Sequence, residues 1–373
     1  MKRINLVMAA ALAACALQVS AQHVPDYINL DANRIQMNGA DWSGLSDKLQ
    51  SLKDADTTRV RVLHIGDSHI QAEFVTNRLR ELLQARYGNA GRGLMVPLRL
   101  AGTNQSHDFS ATSPLAREHW TQTRLLKTPW PARPGMTGIA ARPDQATTVT
   151  WHTTVPGHDI VNATLITDSG LTPVSATGAD SLTTDIAAGQ AVYGLLTDNG
   201  RPGLLYSAIG NNGACYYDYL LIRDFPQQTA LFNPDLIVLS MGTNEAFSYN
   251  TDAEIERSVR DMVTALRHHN PNAQMLILGP MECQKNRRHG QRPLSPDFDI
   301  LERNHDVSVM LSRIAADMGV PYWDFYTVAG GHGASDKWLA DKLMNQNDHI
   351  HLLKAGYELE AQLLFDALTH ALN

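Results

Sequence analysis

The sequence predicts an α/β protein, a parallel sheet covered by helices on both faces, interrupted by a small inserted β-rich domain. Three observations carry this. Short apolar runs at 59–65, 204–209, 236–241, 274–278 and 320–325 alternate with helical patterns, which is the signature of a doubly covered parallel sheet. Residues capable of chemistry stand directly after the first three of these runs. From about 100 to 200 the texture changes to Thr, Pro, Gly and Ala, and helical periodicity is lost.

The elements follow in order. Leu45, Leu49 and Leu52 recur at helical spacing, so a helix is expected over 42–52, before the first strand. After that strand a helical pattern begins at Gln71. Its apolar stripe is Ile70, Phe74, Val75, Leu79, Leu82 and Leu83, and Tyr87-Gly88 ends it. The segments 147–155, 161–167 and 191–197 read as short strands, the last two followed by Asp168-Ser169-Gly170 and Asp198-Asn199-Gly200 turns. The region 100–202 is therefore expected to be a small β-sandwich or barrel. Beyond it, helices are expected to begin at 216–222 and to span 252–268, 295–318 and 355–368, the second ended by Asn270-Pro271.

The N-terminus predicts export. Lys2 and Arg3 precede an apolar stretch over 6–17, and Val19-Ser20-Ala21 is a small-residue cleavage site, so 1–21 reads as a signal peptide and Gln22 as the first mature residue. Leu12-Ala13-Ala14-Cys15 offers a second reading, a lipoprotein signal anchored at Cys15. A buried N-terminal helix is the third. Removal of Lys2 and Arg3 takes the formal charge from −7 to −9, and no basic stripe is present, which argues against a nucleic-acid partner. Beyond the N-terminus no run reaches about 18 apolar residues, so no transmembrane span is expected in the mature chain. Cys215 and Cys283 remain after export; a disulfide is open to them, and two free buried thiols is the favoured reading.

The candidate site is assembled from distant stretches. Ile65-Gly66-Asp67-Ser68-His69 places a serine on a sharp turn between a strand and a helix, which is how an α/β protein exposes a nucleophile. A serine hydroxyl needs a base and oxyanion donors. Asp348-His349-Ile350-His351 offers the base: an Asp three positions before a His can hold the imidazole Nδ1 and leave Nε2 for the serine proton. Gly210-Asn211-Asn212-Gly213 and Gly242-Thr243-Asn244-Glu245 offer oxyanion donors, a glycine N–H and an Asn amide. Asp67 suits bonding to backbone amides of the turn, and His64, His69 and His349 suit structural duties.

These four blocks, in this order, resemble the SGNH (GDSL-type) hydrolase superfamily. The resemblance covers roughly 55–95 and 203–373. It departs from the common pattern at Glu245, where Asp is more frequent, and it leaves Gly210 and Gly213 both open, with Gly213 favoured by the Gly-x-x-Gly spacing. It implies a flavodoxin-like strand order, 2-1-3-4-5, with the crevice beyond the carboxyl ends of the strands. It also implies a triad of Ser68, Asp348 and His351, an oxyanion hole of Ser68, Gly213 and Asn244, and neither cofactor nor metal.

The interval of about 145 residues between Ser68 and Gly213 exceeds what one βα unit needs. Such an interruption by a carbohydrate-module-like domain is similar to bacterial peptidoglycan O-acetylesterases. The expected organisation is then a discontinuous hydrolase domain, 22–99 with 203–373, and an insertion, 100–202. The expected substrate is an acetylated polysaccharide, first of all peptidoglycan, met in the periplasm or outside the cell. Alternatives are an O-acetyltransferase using the same triad, a xylan-type acetylesterase, and a non-catalytic carbohydrate-binding protein. Trp120, Trp130 and Trp151 are either a sugar-stacking platform or core aromatics. A dinuclear metallophosphoesterase is disfavoured, because its Asp-x-His and Gly-Asn-His segments are missing.

Overall fold

The structure is a computed structural model and describes residues 24–52, 58–286 and 298–373. The signal and lipobox readings lie outside the described residues. The main sheet runs, edge to edge, Ile35–Gln36, Tyr322–Trp323, Gln274–Leu278, Leu236–Ser240, Arg59–Gly66 and Gly203–Gly210. Ile35–Gln36 is an antiparallel edge strand; the other five are parallel and, counted along the chain, stand in the order 2-1-3-4-5. The expected flavodoxin-like α/β architecture is therefore the one observed.

Alternation along the strands divides the core. Val60, Val62, Leu204, Tyr206, Val238 and Leu276 face the helices Ser43–Ser51, Phe74–Tyr87 and Lys354–Ala371. Leu63, Ile65, Ile209, Ile237 and Ile277 face the opposite way, toward Asp252–His269 and Arg303–Asp317. That second core is continuous with the apolar interior of 93–198, so the β-rich region and one face of the main sheet exclude water together.

The β-rich region contains two antiparallel sheets. One orders Ser181–Ile186, Thr147–Thr153 and Phe109–Thr112. The other orders Trp120–Arg124, Ile139–Pro143, Val192–Asp198, Asn162–Thr167 and Gly170–Val174, with Gly93–Met95 joining Val192–Asp198. Trp151 is fully buried and donates through Nε1 to the Thr184 hydroxyl; Trp120 is buried as well. Trp130 packs on the core and donates to the Leu125 carbonyl. Trp151 is core, Trp120 is buried at the wall of a cavity and Trp130 packs on the core from its edge, so a stacking platform built from all three is excluded.

Two expectations about helices fail for physical reasons. The helical pattern after Ser68 is not continuous: Ser68–Gln71 is one short helix, Glu73 is left-handed at φ +57°, and Phe74–Tyr87 starts afresh. The Glu73 carboxylate is buried against two arginines, and that cluster, not the apolar stripe, sets the backbone at the break. The stretch 295–318, expected to be largely helical, is helical over Arg303–Asp317, while Phe298–Ile300 pairs as a strand with Gln284–Asn286 and 295–297 lie outside the described residues.

The same cluster ties the nucleophile helices to the β-rich region. Arg80 lies 3.4 Å from Glu73 and donates to Asp108 at 3.1 Å and to the Tyr206 carbonyl at 3.1 Å. Arg92 pairs with Glu73 and places Nε 2.7 Å from Asp108, an electrostatic contact not aligned for a hydrogen bond. All four side chains are essentially sealed from solvent. Burial pushes Asp108 toward the neutral acid, but Arg92, Arg80 and the Ser106 hydroxyl outweigh it and hold the carboxyl below its ordinary value. Cys215 and Cys283 are both buried and free. No helix among the described residues is long and apolar enough to cross a membrane.

Candidate active site

Gly66 ends the first parallel strand, and no larger residue fits there: a Cβ would stand 2.6 Å from the Ser240 carbonyl and 2.3 Å from Ile70. The close approach lets the chain turn at once into Ser68–Gln71. Asp67 caps this turn by accepting the His69 N–H at 3.0 Å, and its other oxygen accepts from the Asn244 amide at 3.1 Å. Burial pushes Asp67 up to about 7. The reading of Asp67 as a bonding partner for the turn amides agrees with these contacts.

The sequence-distant residues meet. The Ser68 hydroxyl lies 2.8 Å from His351 Nε2, and His351 Nδ1 lies 2.9 Å from an Asp348 carboxylate oxygen. Residues 345–351 form a turn, not a helix, in which the second Asp348 oxygen accepts the Ile350 and His351 N–H groups at 2.9 and 3.0 Å. Burial would raise Asp348, but the bonds from His351 and from the two amides prevail and hold it below its ordinary value. The bond to Asp348 raises His351 above its ordinary value against the opposing effect of burial, with the Asp348 charge adding to the rise. An ionised carboxylate on Nδ1 and a free Nε2 facing a hydroxyl make a proton acceptor for that hydroxyl.

Several side chains support the site: His69, His349 and Glu245 stand within or beside the motif blocks, whereas Asn345 and Tyr357 carry no signal in the sequence. The Asn345 amide donates to Asp348 at 3.3 Å. His349, left-handed at φ +55°, stacks on Phe298 and bonds through Nδ1 to the Gln284 amide oxygen. The Tyr357 hydroxyl holds His69 Nδ1 at 3.0 Å, and burial lowers His69 to about 3, so this ring is neutral beside His351. Glu245 accepts the Tyr216 N–H at 2.8 Å and so fixes the helix after the glycine block. Burial pushes Glu245 up to about 7. Only the fold reveals which partners these side chains meet.

The two glycine candidates separate clearly. Gly210 lies in the strand against the nucleophile helix, where a Cβ would stand 2.1 Å from the Gln71 nitrogen. Its role is close packing. Gly213 stands in the exposed loop beyond the strand at φ +85°, and its N–H and that of Ser68 have no acceptor among the described residues. Gln71 steadies this loop: its side-chain oxygen accepts the Asn212 N–H at 2.8 Å, while its amide donates to Thr103 and Asn104. Asn244 follows the next strand, its Nδ2 donating to Asp67 and to the Ala214 carbonyl.

The model of the GDSL-like Lipase/Acylhydrolase family matches residues 176–359, which contain the glycine, asparagine and Asp-x-x-His blocks. Ser68 precedes that span because the β-rich region separates it from the rest. Among solved structures, a peptidoglycan O-acetylesterase is 25% identical, with a TM-score of 0.71 over 93% of this chain and 98% of that one. A lipase/acylhydrolase from Enterococcus faecalis is 18% identical, with a TM-score of 0.34 over 45% of this chain and 77% of that one. An acetyl xylan esterase is also 18% identical, with a TM-score of 0.35 over 44% of this chain and 81% of that one. A sequence comparison with curated proteins finds no match.

Fold and family match define an enzyme of the carboxylic ester hydrolase class. The chain has the fold of the SGNH (GDSL-type) hydrolases, matches the GDSL-like family model over 176–359, and resembles the peptidoglycan O-acetylesterase in structure.

Proposed function

We propose that this chain is an exported esterase that removes O-linked acetyl groups from a polysaccharide, peptidoglycan first of all. The carrying observation is the continuous contact from the Ser68 hydroxyl through His351 to Asp348, at 2.8 and 2.9 Å. The Ser68 oxygen attacks the acetyl carbonyl carbon while its proton passes to His351 Nε2. The negative charge on the carbonyl oxygen meets the Ser68 and Gly213 N–H groups, and the Asn244 amide once one of its two N–H groups turns from Asp67 or the Ala214 carbonyl. Collapse breaks the bond to the sugar oxygen, which takes the proton from His351. Water then attacks the acetyl-serine, giving its proton to His351; acetate leaves and Ser68 is restored. Asp348 keeps Nδ1 protonated and stabilises the imidazolium throughout.

The neighbour whose structure matches over nearly the whole of both chains acts, by its name, on peptidoglycan, and this favours peptidoglycan over xylan. That substrate lies outside the cytoplasm, as the signal-peptide reading of 1–21 requires. On this reading the β-rich region, expected from sequence as 100–202 and joined in the structure by Gly93–Met95, supplies part of the glycan-facing rim.

Acetate release from O-acetylated peptidoglycan, compared with acetylated xylan, tests the assignment. The wild type is expected to prefer peptidoglycan, and Ser68→Ala to lose on the order of 10⁴-fold or more in kcat with its fold intact. Retained activity in Ser68→Ala overturns the mechanism. Transfer of a labelled acetyl group to an added sugar, in place of release as acetate, would instead make the chain a transferase.

A further inference from the structure

We infer that the β-rich side of the crevice is a binding track for carboxylates, so that the preferred acetylated glycan is an acidic one. The inference rests on the esterase reading above and adds the chemical class of the substrate. Two cavities open along this side and share Thr103 as a common wall. The larger, of about 550 Å³, is walled by Arg99, Leu100, Leu115, Arg117 and Trp120. This is the size range of small-molecule sites. The smaller, of about 60 Å³, is walled by Gln71, Arg124, Leu126, Lys127 and Asn212.

The smaller cavity borders the glycine block. Asn212 belongs to the glycine block, and the Leu126 side chain is the nearest group to where a Gly213 Cβ would stand, at 3.8 Å. Gln71 joins the two ends: it holds the Asn212 N–H and donates to Thr103 and Asn104. A chain lying with its acetyl group at Ser68 therefore has these two recesses next along the rim.

Their charge is one-sided. No carboxylate lines either cavity. Among the described residues none of Arg99, Arg117, Arg124 and Lys127 pairs with an acid; Arg124 donates only to the Gly102 carbonyl, at 3.3 Å. The nearby acids do not neutralise them: Asp108 is buried with Arg80 and Arg92, and Asp144 faces His119. Glu118 lines neither cavity. In a chain of net charge −7 this is a local field of the opposite sign. Arginine in a concave, partly apolar wall matches a carboxylate in shape as well as charge. The ligand chemistry is thus a glycan with acidic groups beside the acetylated sugar. A peptide-substituted amino-sugar strand and a uronate-bearing polysaccharide both carry such groups, whereas a neutral xylan does not.

The test uses the full chain and an Arg99→Ala/Arg117→Ala variant. Kinetics are measured on soluble O-acetylated peptidoglycan fragments, on an acetylated uronate-bearing glycan, on neutral acetylated xylan and on a small aryl acetate. The KM of the variant for the acidic substrate is expected to rise about tenfold, with kcat little changed. Aryl acetate turnover, which does not reach this rim, is retained and reports an intact fold. The wild-type preference should shrink with added salt. Comparison of the two acidic substrates identifies the source of the carboxylates. An unchanged KM on both, or an equal loss on the neutral glycan, overturns the track.

A second measurement separates this failure from failure of the esterase reading. Deacetylated acidic fragments are titrated into Ser68→Ala, with and without the arginine substitutions. Arginine-dependent binding alongside a wild type that releases no acetate would sink the esterase assignment and leave the track standing. Acetate release with no arginine dependence in either experiment would do the reverse.

Discussion

Two polar networks in this molecule bring together residues far apart in sequence, and they are finished in opposite ways. The Glu73–Arg80–Arg92–Asp108 cluster is sealed, and its charges are met by ion pairs, by the Ser106 hydroxyl and by the Tyr206 and Leu94 carbonyls. The Ser68–His351–Asp348 chain is only half-buried; the His351 and Asp348 side chains are 37% and 36% exposed. The Ser68 and Gly213 N–H groups beside it are unbonded among the described residues. A sealed network resists change because each charge depends on its partner in a medium of low polarity. A network left open at one end has an atom to offer to an incoming group. Saturation suits a polar cluster that holds the architecture, and incompleteness suits the one proposed here to do chemistry.

The comparison breaks most sharply at Arg92. Arg92→Leu leaves Glu73 and Asp108 buried with one guanidinium between them, at an expected cost of about 3–5 kcal/mol. Thermal unfolding should shift down by several degrees, while Ser68→Ala scarcely moves it. If Arg92→Leu unfolds like the wild type, the cluster is not holding the β-rich region to the nucleophile helices.

Asn244→Ala tests the open network with a smaller effect. Removing one oxyanion donor is expected to lower kcat by about 10²–10³-fold with little change in KM or in unfolding temperature. An unchanged kcat would assign Asn244 to holding Asp67 and Ala214 alone. Asp67, already pushed up to about 7, would then be expected to respond in its titration.

The smallest effect is in pH dependence. His351 must be neutral to accept the Ser68 proton, so kcat/KM rises as pH climbs through its pKa. Because Asp348 raises that value, the acidic limb is expected above 6.5. Asp348→Asn removes the main cause, so the limb should move toward lower pH while the maximum rate falls. Measured pH–rate profiles decide it; an unmoved limb would mean that another group governs the proton.

The sequence and the structure agree where the information is local. Each parallel strand is a short apolar run, and Ser68, Gly213 and Asn244 stand just past the ends of three of them, so periodicity and turn chemistry locate them. Asp348 and His351 were legible from spacing, although a turn with the carboxylate accepting two amides, rather than a helix, aligns them. The left-handed residue at Glu73 was not legible. The apolar stripe runs on past it, and only Arg80 and Arg92, joined in space, fix the backbone there. The strand Phe298–Ile300 was hidden for the same reason, since its partner Gln284–Asn286 has no apolar alternation of its own. The cation-lined recesses depend on Arg99, Arg117 and Lys127 being brought to one side by two loops and the short helix Arg117–His119, which periodicity does not reveal.

The bond between residues 68 and 351 spans 283 positions of chain. The hydroxyl and the imidazole therefore sit on segments that no local structure joins. A proteolytic cut between them that lets the two pieces part would also separate this pair, while leaving each piece's sequence motifs intact.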